Sequence, residues 1–166
     1  MRARSRGTVA VLFVAAWALL AVSCGSGGAV TKEEYATELS AAMADVEEAY
    51  GDATNAVIAR NADNASTSVA DLVERLRTTQ ISIRDAGNRL DEITPPEELS
   101  TEHDDLVRGV RDMADAVDLL IEAQELAETD PKRASELARQ FATDDAFETV
   151  VGATTNIRDA GVDVAL

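Results

Sequence analysis

The chain has 166 residues, with 31 acidic against 15 basic side chains and a formal net charge of −16. That balance excludes nucleic acid as a partner, because neutralising phosphates takes a basic surface, and it disfavours docking of the folded body on anionic lipid. A single cysteine excludes a disulfide framework, and a single histidine excludes any metal site that needs two.

At the start of the chain Arg2, Arg4 and Arg6 precede an uncharged apolar run over 9–22. This is the order of a secretory signal, and the run falls short of the roughly 20 residues that a permanent spanning helix needs. Leu20-Ala21-Val22-Ser23-Cys24 then sets small and aliphatic residues before the only cysteine. The segment resembles the lipobox of bacterial lipoproteins. In that family the cysteine thiol receives a diacylglyceryl group, the signal is cut just before it, and the new amino terminus is often acylated as well. The resemblance implies a cleaved signal peptide over 1–23, lipid attachment at Cys24, and a place on the extracytoplasmic side of the cell membrane. Two acyl chains on one residue would anchor where one does not. Residues 24–30, with Gly25, Ser26, Gly27 and Gly28, read as a flexible tether. Cleavage would remove three arginines and no acid, so 15 bases become 12 against 31 acids and the charge becomes −19.

Residues 31–166 are expected to form one helical domain. Thr31 with Glu34 makes a capping box, after which Tyr35, Leu39, Ala42, Val46, Tyr50, Ala53 and Val57 recur at steps of three and four. A first helix is predicted over 32–60, broken by the polar stretch 61–66. Val69, Leu72, Val73, Leu76, Ile83, Leu90 and Ile93 mark a second helix that ends near Thr94, since a residue before proline avoids helical geometry. Thr94, Pro95 and Glu97 offer a second capping box for the next helix. In the third helix Leu99, His103, Leu106, Val110, Met113, Val117 and Leu120 alternate steps of four and three, a seam built for packing.

Asp130-Pro131 stops one helix and starts another. Leu137, Ala138 and Phe141 follow, then Phe147, Val150, Val151, Thr154 and Ile157, with a fresh cap offered by Thr143-Asp144-Asp145. The fold class expected is all-α: an antiparallel, up-down-up-down four-helix bundle whose fourth helix is kinked or split near 143. Ile83-Arg84-Asp85-Ala86-Gly87 recurs as Ile157-Arg158-Asp159-Ala160-Gly161, an echo that duplication of a helical hairpin would leave. The segment Pro95-Pro96-Glu97-Glu98-Leu99, with His103 and Leu106, resembles a pattern of small helical lipoproteins of actinobacteria, which implies a fold and no activity.

Catalytic groups are hard to find. The glutamates that would pair with His103 in a di-iron site are missing, because residue 100 is serine and residue 106 leucine. No serine sits in a Gly-x-Ser-x-Gly turn and no phosphate-binding glycine loop is present. Asn61, Asp63 and Asn64 open like a calcium loop but lack its glycine and late glutamate. His103 reads chiefly as a packed ring and secondarily as a candidate ligand contact. No catalytic residue, metal site or cofactor is therefore expected. The sequence points to a lipid-anchored binding or adaptor module with an envelope protein as its partner. The alternative is a carrier or sensor that holds a small apolar ligand within the bundle.

Overall fold

The computed structural model describes residues 30–63 and 68–164. The leader over 1–23 and Cys24 lie outside the described residues, as does nearly all of the tether. The described residues are helical almost throughout and contain no strand. Helix α1 spans Lys32–Asp63, α2 Val69–Glu92, α3 Ser100–Leu126, α4 Pro131–Ala142 and α5 Ala146–Asp159, with a short 3₁₀ turn at Glu97–Leu99.

Local chemistry explains most of these ends. The Thr31–Glu34 box closes α1 reciprocally: the Glu34 amide donates to Thr31 Oγ1 at 3.2 Å, and the Thr31 amide to Glu34 Oε2 at 3.1 Å. Ser68 caps α2 by accepting from the Asp71 amide. Asp130 caps α4 by accepting from the Arg133 amide, with Pro131 in the first turn, as its sequence predicts. The break near 143 is also present, since Thr143 ends α4 and Asp144 accepts from the Ala146 amide at 2.9 Å to open α5. One expected cap does not form. Thr94 and Pro95 are each followed by proline and so are pushed out of helical geometry. The chain reaches Pro96 extended, makes the 3₁₀ turn, and enters α3 only at Ser100.

The fold is bundle-like, with α3 in the middle: it packs on α2, α4 and α5, while α1 packs chiefly on α2. The core holds Tyr35, Leu39, Leu72, Leu76, Ile83, Leu90, Leu106, Val110 and Ile157, all fully buried. Burying side chains of this size stabilises each by roughly 1.5–3 kcal/mol before entropy is counted. Two polar side chains enter it with partners: Gln80 donates to the Ala114 carbonyl at 3.1 Å, and Thr154 to the Val150 carbonyl at 2.7 Å.

One glycine sets a helix spacing. A Cβ on Gly109 of α3 would lie 2.9 Å from Val150 Cγ2 and 3.2 Å from the Val150 amide nitrogen, so α5 approaches α3 to within hydrogen-atom contact there. The echoed pentapeptides have different fates. Ile83 and Ile157 are both fully buried, but Gly87 lies inside α2 while Gly161 has φ +91° and ends α5. There the Gly161 amide donates to the Arg158 carbonyl and the Val162 amide to the Ile157 carbonyl, the two bonds of a Schellman stop.

Candidate functional site

Helix α1 carries two aromatic contacts about four turns apart, and they differ in kind. Near its start the Tyr35 hydroxyl lies 2.9 Å from His103 Nδ1, the rings meeting edge to face with centroids 5.6 Å apart. Both are buried, Tyr35 completely and His103 to 3 % exposure. Burial holds the His103 imidazole below its usual value, against the opposing pull of the Leu90 carbonyl and the Asp104 and Asp91 carboxylates. Burial, aided by Glu102, pushes the Tyr35 phenol above its usual value. At neutral pH the ring is uncharged and the phenol protonated, so the hydroxyl and Nδ1 share one hydrogen bond whose direction is set by the ring's tautomer. Nε2 itself is buried and has no hydrogen-bond partner among the described residues.

The surroundings close this end. Lys32 donates to the Ala160 carbonyl at 2.7 Å and pairs with Glu98 at 3.5 Å. Arg158 donates twice to the Val164 carbonyl, and Val162 and Val164 are buried in the core. His103, the sequence's candidate ligand contact, thus sits inside the protein with Tyr35 as its partner. A neutral, sealed pair with no carboxylate or nucleophile bonded to it offers structure rather than chemistry.

Farther along α1, Tyr50 stacks on Phe147 of α5 with centroids 5.7 Å apart and planes 20° from parallel. This pair is open to solvent. Phe147 is 52 % exposed and Val151, one turn on, 44 %. On one side of the pair lies a hollow of about 300 Å³ walled by Met43, Val46, Val150 and Val151 and almost wholly apolar. A second, of about 290 Å³, lies on the other side over Ala116, Val117 and Phe141. They share Tyr50, Phe147 and Met113 of α3, so together they make one groove beside the α1/α5 seam, apolar in the first hollow and mixed in the second, where Asp144 and Glu148 join the lining.

The charged residues that edge the groove are Glu47, Asp144 and Glu148, with no lysine or arginine. No cation pairs with any of the three among the described residues. Five arginines are engaged elsewhere: Arg77, Arg84 and Arg111 bridge α2 and α3, Arg89 reaches Asp45 of α1, and Arg133 reaches Glu122 of α3. No ion pair among the described residues joins α1 to α5.

Two other surface features lack this character. A wide trough of about 630 Å³ between α1 and α2 is walled by Asp45, Glu48, Asp52 and Asp85 with Arg89, and reads as two solvated helix faces. No group of three or more potential metal ligands converges among the described residues. Among the described residues Ile81 is the remaining large apolar side chain that is exposed, and it stands alone on α2.

Sequence periodicity placed Tyr50, Phe147, Val150 and Val151 among core positions, and it did not mark Met43 or Gly109. A signal was present in α5. Ala146, Val150, Ala153 and Ile157 make one buried stripe, and Phe147 and Val151 make a second beside it. A helix packed on a single neighbour needs only one such stripe. Compared with family models, with curated proteins and with solved structures, the chain matches none of them. Within the described residues no helix is long and apolar enough to cross a membrane.

Proposed function

We propose that this chain is a non-catalytic, lipid-anchored binding or adaptor module of the cell envelope, held by Cys24 to the outer face of the cytoplasmic membrane. In this reading residues 1–23 are a cleaved signal, 24–30 a tether, and 31–166 one antiparallel four-helix bundle whose last member is split into α4 and α5. The observation that carries the binding role is the α1/α5 groove. Phe147 and Val151 remain on the surface beside an apolar hollow, as an interface for a partner requires. The anchor rests on the lipobox resemblance and on the solitude of Cys24.

The carrier alternative has its own support, because about 300 Å³ lies at the small end of ligand pockets. A photoreactive residue at position 151, activated in native membranes, separates the two. An adaptor gives a discrete protein adduct that the same residue at position 78, on α2, does not give; a carrier gives a small-molecule adduct. Metabolic labelling with a fatty-acid analogue tests the anchor. Label retained on Cys24→Ser would sink it.

A further inference from the structure

The groove's edges say what kind of partner would suit it. The hollow over Met43, Val46, Val150 and Val151 is almost wholly apolar, and Glu47 of α1 lines it while Asp144 and Glu148 near the start of α5 line the hollow on the other side of Phe147. Among the described residues none of the three carboxylates has a cationic partner. Burying them under a neutral or anionic surface would cost their hydration with nothing returned. We propose that the groove receives a basic amphipathic helix of a partner protein, with apolar side chains on Tyr50, Phe147 and Val151 and Lys or Arg side chains against Glu47, Asp144 and Glu148. The proposal rests on the binding-module reading and names the partner's chemistry.

Shape and charge favour this occupant over others. A small ligand needs most of its own surface enclosed, whereas these hollows are open and leave half of Phe147 in solvent. A helix brings its own cover and lays a stripe of side chains along a groove. Along α1 the walls Met43, Val46 and Tyr50 follow helical spacing, as do Phe147, Val150 and Val151 along α5. A second copy of this chain would bring the same carboxylates against themselves. An acidic helix or an anionic amphiphile meets the same repulsion, on a chain already at −16.

The test uses the full chain in nanodiscs of zwitterionic lipid, with empty discs as blank. The probe is a labelled amphipathic peptide of about 18 residues, five turns of leucine and lysine, followed by fluorescence anisotropy. Its counterpart carries glutamate in place of lysine. The lysine peptide should bind and the glutamate peptide should not. Phe147→Ala should weaken binding by about tenfold or more, as loss of a central aromatic contact does. Glu47→Gln with Glu148→Gln should weaken it by about fivefold at low salt and by little at high salt. Glu74→Gln with Asp85→Gln, the same charge change on α2, should leave binding unchanged. Equal losses from the two charge pairs would mean attraction to an acidic protein in general and would overturn the proposal. Equal binding of both peptides, still abolished by Phe147→Ala, would also overturn it while leaving the binding module standing. If neither peptide binds but tetraphenylphosphonium, a small lipophilic cation, binds at Phe147, both this proposal and the adaptor reading fail.

Discussion

The two aromatic pairs of α1 show two uses of one helix face. Tyr35–His103 is buried: the hydroxyl has its ring nitrogen, Lys32 and Arg158 tie neighbouring backbone, and Val162 and Val164 are buried in the same core cluster. Tyr50–Phe147 has the same spatial intimacy without closure, for the stack touches solvent and carboxylates edge it unpaired. The difference lies in the neighbours. At the second pair α5 packs chiefly on α3, approaching it closely at Gly109, and meets α1 through the exposed Tyr50–Phe147 stack. A contact between apolar rings therefore does not by itself define a core. What covers the rings does.

If the sealed region carries the stability, its residues should dominate unfolding. Leu106→Ala, in the fully buried seam of α3, removes side-chain contacts and leaves a cavity, and should cost roughly 2–5 kcal/mol in urea unfolding. Against a typical domain stability of about 5–15 kcal/mol that is a large share. An unchanged midpoint would mean that the α3 seam is not core.

Gly109→Ala sharpens the comparison from the other side. The new methyl group meets the Val150 backbone and Thr149, so α5 must shift, at about 1–3 kcal/mol for overpacking, offset by up to about 1 kcal/mol of helix propensity. A variant more stable than the parent would show that α5 does not depend on this close approach. The same substitution at Gly87, inside α2 with its nearest side-chain atoms 3.4 Å away, should instead stabilise by up to about 1 kcal/mol, the helix propensity gained without a clash.

The sealed pair also predicts a pH effect with a definite sign. The unfolded chain protonates His103 near the ordinary value of 6.5, whereas the buried ring resists. Stability from this residue is complete above that value and falls as the pH drops below it. His103→Gln lacks this loss. The stability gap between parent and variant should narrow between pH 7.5 and 5, by at most about 1.4 kcal/mol per pH unit. A gap that stays constant or widens would mean that the folded ring accepts the proton.

Much of this arrangement was legible in the sequence. The three- and four-residue steps identified the buried faces of α1, α2 and α3, and Thr31, Asp130 and the 143–145 stretch announced their helix ends. The entry to α3 misled because a capping box was read through two successive prolines, whose steric effect on the preceding residue is the stronger constraint. The groove was illegible for a deeper reason. Periodicity says which residues share a helix face but not how far away the next helix stands, so Phe147 and Val151 looked like core. The partner of His103 was equally hidden, since Tyr35 lies 68 positions away and only the packing of α1 near α3 joins them.

The central claim, that Tyr50 and Phe147 frame a face kept open for a partner, is tested most directly by urea unfolding of Phe147→Ala. Half of that ring is already in water, so the variant should fall within about 1 kcal/mol of the parent, as substitutions at exposed positions do. A loss of about 3–5 kcal/mol, the cost of deleting a fully buried phenylalanine, would show that the stack is core and that the groove is not a binding face.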